Sequence, residues 1–85
     1  MVKIGRRPRK RVEVYRARKA GKPDGFRYRA IAGNGAEVGS SEESKRHRTY
    51  VARQAAERYP ASDGWTVILV EPDGSWVEWQ SDGRA

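Results

Sequence analysis

Arginine alternates with aromatic and small residues in two short runs, Tyr15-Arg16-Ala17-Arg18 and Phe26-Arg27-Tyr28-Arg29. A guanidinium is a planar fork of N–H donors that matches phosphate oxygens. Arginines two apart on an extended chain therefore present a row of such forks along one side. A further basic run opens the chain, with Lys3, Arg6, Arg7, Arg9, Lys10 and Arg11 set around Gly5 and Pro8. Lys45 and Arg46 add charge on the outer face of a helical stretch, where a solvated basic face is the ordinary reading. Lys3, Arg6, Arg7, Arg9, Lys10, Arg11, Arg16, Arg18, Arg27, Arg29, Lys45 and Arg46 form the candidate polyanion-binding set. Their chemistry is phosphate neutralisation rather than bond making.

Catalytic constellations are missing from the sequence. It has no glycine-rich phosphate loop, no Ser-His-Asp set and no cluster of His, Asp and Glu at ligand spacing. His47 is the single histidine and has no partner at such spacing, so it reads as a surface residue near a helix start. Glu42 and Glu43 are adjacent and point to different sides of the backbone. Neither enzymatic activity nor a metal or cofactor is expected.

Charge is segregated. The net charge is +7 over 85 residues, yet residues 1–29 carry a balance of +10 and residues 30–85 one of −3. A basic half beside a mildly acidic one suggests a molecule with a polyanion-facing side. The absence of cysteine excludes disulfides and fits a reducing, cytoplasmic (intracellular) setting. The longest apolar run, Val67 to Val70, is far too short to span a membrane. A chain of this length buries only about 60–65% of its unfolded surface, so its core calls for supplement.

The elements that must position these residues follow from turn chemistry and periodicity. Residues 1–10 predict a flexible basic arm, 11–80 a single domain and 81–85 a tail. Pro23-Asp24-Gly25 and Asn34-Gly35 read as hairpin turns between strands at roughly 11–18, 26–32 and 36–40. In the first strand Val12 and Val14 share a face with Arg16 and Arg18. In the second, Phe26, Tyr28, Ala30 and Ala32 face a helix, while Arg27, Arg29 and Ile31 face away, as a cationic platform or as part of a dimer seam. Ser44 is a plausible N-cap for a helix over 45–59, whose apolar stripe is Val51, Ala52, Ala55, Ala56 and Tyr59. Pro60 ends it.

The residues Phe26-Arg27-Tyr28-Arg29, Ala32, Asn34-Gly35, Ser41-Glu42 and Ala52, Ala55 and Ala56 carry a resemblance. Over about residues 11–60 the chain resembles the YegP-like small-protein family (DUF1508). Its pattern is an aromatic-Arg-aromatic-Arg strand, an Asn-Gly turn, a Ser-Glu segment and an alanine-rich helix. The resemblance implies a ββ(β)α unit that pairs as a dimer or tandem repeat, with no established catalytic residues. The basic N-terminus and Trp-rich C-terminus depart from the pattern.

Beyond Pro60, WTVILV and SWVEWQ flank Glu71-Pro72-Asp73-Gly74, a further hairpin. Pairing Val70 with Ser75 puts Trp65, Val67, Leu69 and Trp76 on one face and Ile68, Val70, Val77 and Trp79 on the other. Two apolar faces need two covers, the meander–helix unit and a second subunit. Trp65, Leu69, Trp76, Val77 and Trp79 are thus the candidate homodimer or partner interface. KPDGFRYRA and EPDGSWVEW also share a turn-then-aromatic pattern, a faint trace of a repeat. The expected fold class is α+β: an antiparallel three-stranded meander, one helix and a C-terminal β-hairpin. The expected function is nucleic-acid binding, DNA foremost, through phosphates. A protein-interaction module using the Trp hairpin is the alternative.

Overall fold

The computed structural model describes residues 5–41 and 44–80. Five strands and one helix follow in the order β1 (Arg11–Lys19), β2 (Lys22–Ile31), β3 (Glu37–Ser40), α1 (Arg48–Arg58), β4 (Thr66–Val70) and β5 (Trp76–Glu78), with a 3-10 turn at Ala61–Asp63 before β4. The fold is α+β, but the meander and the hairpin are not separate pieces. They join into one sheet of order β3-β2-β1-β4-β5, in which β1 and β4 run parallel and the other pairs antiparallel. Each piece alone would leave an apolar strand with unpaired backbone groups. Pairing Val12 with Val67 and Val14 with Leu69 satisfies both edges, and the connection through α1 makes the parallel pairing possible.

Alternation along the strands separates two faces. Val12, Val14, Tyr28, Ala30, Val67, Leu69 and Trp79 form the core against Val51, Ala52 and Ala55 of α1. The alanines keep the helix axis close to the sheet. Tyr59 fills the end of the layer, edge-on to Tyr28 at 6.2 Å and to Trp65 at 4.8 Å between ring centroids. It also explains Gly39 of β3, because a Cβ there would run into the Tyr59 hydroxyl.

One turn lies elsewhere than the sequence expectation, and two form where expected, each with a left-handed glycine at its end. The β1–β2 hairpin closes at Ala20-Gly21, both at positive φ (53° and 80°), as a two-residue turn demands. Pro23-Asp24-Gly25 lies within β2 as a bulge: Arg16 pairs with Phe26 and Arg18 with Pro23, leaving one residue of β1 opposite two of β2. Gly25, at φ 84°, is required there, since a Cβ would sit 2.6 Å from the Lys45 carbonyl oxygen. The Asn34-Gly35 and Asp73-Gly74 turns share one geometry. A four-residue turn closes from the Gly35 N–H to the Ala32 carbonyl, and from the Gly74 N–H to the Glu71 carbonyl. Each ends on a left-handed glycine. Asn34 and Asp73 accept the backbone N–H two residues on. The turn-then-aromatic likeness of KPDG and EPDG therefore does not extend to conformation, for one is a bulge and the other a turn.

The extra turn residue at Gly74 slips the hairpin by one. Val70 pairs with Trp76 and Leu69 with Val77, so Trp76 joins Ile68 on the back face while Val77 and Trp79 turn toward α1. The helix also starts later than expected. Lys45 is held beside β2 by a two-way backbone bridge with Phe26, and His47 is the N-cap, without a side-chain bond. Ser44 is thus no N-cap; its hydroxyl accepts from Arg27 Nε and donates to Asp24. Among the described residues no helix is long and apolar enough to cross a membrane.

Candidate nucleic-acid interface

The sheet face opposite α1 is organised around Glu13. This carboxylate sits mid-strand between Val12 and Val14, and its side chain is only 2% exposed. Three guanidiniums converge on it: Arg7 at 2.8 Å, Arg11 at 2.5 Å and Arg29 at 2.8 Å. Burial pushes the Glu13 carboxyl up, but the hydrogen bonds from Arg11, Arg29 and Arg7 outweigh it and hold the pKa down at about 2. The charge is affordable in this position because each carboxylate oxygen has a charged donor.

The same ion cluster docks the N-terminal segment. Arg7 bonds Glu13 with one terminal nitrogen and the Gly74 carbonyl with the other, so its side chain crosses the back face from β1 to the β4–β5 turn. Arg11 bonds Glu13 and the carbonyl of Pro8. Residues 5–10 are therefore part of the folded unit rather than an arm that contributes nothing to it. Ile68 is fully buried and Trp76 is 5% exposed on this face within the single chain. Residues 1–4, with Lys3, lie outside the described residues, as do Glu42, Glu43 and the 81–85 tail.

The remaining candidates divide into two groups. Arg27 and Arg29 project from the back face of β2, flanking Tyr15. Arg29 stacks over the Tyr15 ring at 5.1 Å, and Arg27 is tied by Nε to Ser44 at 2.8 Å. Both are half-buried and held through Nε, and among the described residues their terminal nitrogens make no hydrogen bond, which leaves those donors for an anion. Arg6 and Arg9 border the same face and are exposed. The fold thus gathers Arg6, Arg7, Arg9, Arg11, Arg27 and Arg29 on one side.

The other group is scattered. Lys10 turns away to the Asp63 carbonyl and lies 4.9 Å from the centre of the Trp65 ring. Arg16 stacks on Phe26 at 4.5 Å, on the helix side. Arg18 closes the β1–β2 hairpin on the Gly21 carbonyl. Lys45 and Arg46 border the Pro23–Gly25 bulge. These five do not share the back face.

The candidate interface residues have other duties. Leu69, Trp76 and Trp79 are buried within one chain, and Trp65 and Val77 are half-buried against its core. Of the two apolar faces that suggested a second subunit, one packs against α1, and on the other Ile68 and Trp76 are buried and Val70 is half-buried within the single chain. Among the described residues no His, Asp and Glu side chains group as a metal site.

Glu13 and Tyr15 were not among the residues singled out from sequence. The available signal was Glu13's isolation, as one of two acids within residues 1–29 at an alternate position between two valines. Compared with known proteins, the chain matches no family model, no curated protein and no solved structure.

Proposed function

We propose that this protein binds nucleic acid through the back face of its sheet, by phosphate contacts and without catalysis. The observation that carries the reading is the alignment of Arg27 and Arg29 on β2, each held through Nε with its terminal nitrogens unbonded among the described residues, beside the exposed Arg6 and Arg9. Glu13 on that side is saturated by three arginines, and Glu37 and Glu78, opposite Ile31 and Ile68 in the register, lie on it as well, against the six arginines gathered there. The face therefore keeps an excess of positive charge despite the cluster. Beyond its pairing with β4 at residues 11–14, β1 continues with β2 alone from the Tyr15–Arg27 pair to the Lys19–Lys22 pair, and a two-stranded ribbon fits a major groove, where arginine also reads guanine. Limited sequence preference is expected, because contacts to phosphate position the protein without reading bases.

Binding measured over a salt series tests this. If about five phosphates are neutralised, the log–log slope on duplex DNA should be near −4.5, from roughly 0.9 per phosphate. The Trp-hairpin reading predicts a salt-insensitive protein contact instead. Its anchors Trp76 and Trp79 are buried, so no exposed tryptophan patch favours it.

A further inference from the structure

Between the docked N-terminal segment and the Ala32–Gly35 turn lies an open hollow of about 730 Å³, bordered by Arg6, Arg7, Arg9, Arg11, Asn34 and Trp76. Its chemistry is one-sided. Four arginines line it, and among the described residues the Arg6 and Arg9 side chains make no bond with the rest of the protein. Arg7 and Arg11 are fixed by Glu13, which lies beneath and is itself out of reach of solvent. Asn34 spends its carbonyl oxygen on the Ala36 N–H at 3.0 Å, which leaves its amide nitrogen as a two-proton donor at the rim. Donors thus outnumber acceptors, two arginines are rigid and two are adjustable. This is how a tetrahedral dianion or a diester is held: a fixed charge-assisted floor with adaptable arms.

We propose that this hollow is a seat for a phosphate group of the nucleic-acid chain, and that Glu13 is the positioning residue that aims its arginines. The proposal rests on the nucleic-acid reading above and sharpens it. It has a consequence opposite to charge counting. Glu13→Gln makes the protein more positive, so a diffuse electrostatic contact would tighten. A seat built on Glu13 instead loosens, because Arg7 and Arg11 lose their common anchor.

The test combines two readouts on the full chain. Amide NMR titration with inorganic phosphate should shift residues 6–11 and 33–35 in the unaltered protein. Arg6→Ala, an exposed position without contacts, should weaken those shifts and reduce the oligonucleotide salt slope by about 1. Glu13→Gln, if its amide spectrum remains dispersed, should bind oligonucleotide more weakly than the unaltered protein. Should Glu13→Gln unfold, Arg6→Ala and the phosphate titration decide alone. A 5′-phosphorylated strand binding better than its unphosphorylated twin assigns the seat to a terminal phosphate, and equal binding assigns it to an internal diester.

Tighter binding by folded Glu13→Gln, or phosphate shifts scattered away from 6–11 and 33–35, overturns the seat while leaving the nucleic-acid reading intact. Phosphate shifts confined to the hollow, with no oligonucleotide binding at low salt, overturn the nucleic-acid reading and assign the seat to free phosphate.

Discussion

At Glu13 one carboxylate shared by three arginines decides how the N-terminal segment lies, and the linkage to pH follows from its direction of shift. Its folded-state pKa of about 2 is below the ordinary 4.5, so its contribution to stability is complete above about pH 4.5 and is lost as pH falls through 2. A shift of that size corresponds to roughly 3 kcal/mol. Urea unfolding from pH 6 down to 2 should show this loss, and Glu13→Gln should flatten the dependence in that window. Two backbone positions give sharper cases. Ala20 holds a left-handed φ of 53° that costs an L-residue roughly 1–2 kcal/mol, so Ala20→Gly should raise the urea midpoint. Gly39→Ala should destabilise by about 1–3 kcal/mol, because its methyl displaces the Tyr59 hydroxyl and with it the end of α1.

At the level of elements, much could be read from residue types. The Val51, Ala52 and Ala55 stripe, the division of β2 into an aromatic and an arginine face, and the strand at 66–70 all follow from periodicity. The turns were harder. Pro-Asp-Gly suits a turn and a bulge alike, and only the competing Ala20-Gly21 closure, two residues before Pro23, decides between them. Asp73-Gly74 suits a two-residue turn and a turn followed by a left-handed bulge glycine alike; the second forms, and that one-residue slip sends Trp76 to the opposite face. The parallel β1–β4 pairing depends on contacts more than 50 residues apart and has no local signature. Trp79→Ala should cost about 3–5 kcal/mol by emptying the core between β5 and α1, readable as a fall in thermal midpoint.

For the whole molecule, the charge imbalance of residues 1–29 indicated a polyanion-facing side, and the fold sorts that charge. Six of the candidate cations share the back face, while Lys10, Arg16, Arg18, Lys45 and Arg46 serve turns, rings and edges elsewhere. Strand alternation alone separates Arg16 and Arg18 from Arg27 and Arg29, but it could not place Arg6, Arg7, Arg9 and Lys10, whose sides depend on the Glu13 cluster and the Asp63 carbonyl. It also could not show that residues 5–10 cover Glu13; deleting residues 1–10 should therefore destabilise the fold as well as weaken binding. The most direct test compares the unaltered protein with Arg27→Ala/Arg29→Ala, two changes on the solvent side of β2, on one duplex over a salt series. The double variant should remain folded, bind more weakly, and lose about 2 from the magnitude of the log–log slope, about one for each phosphate contact removed. An unchanged slope and affinity in the double variant, or no binding by the unaltered protein at low salt, would contradict nucleic-acid binding by this face.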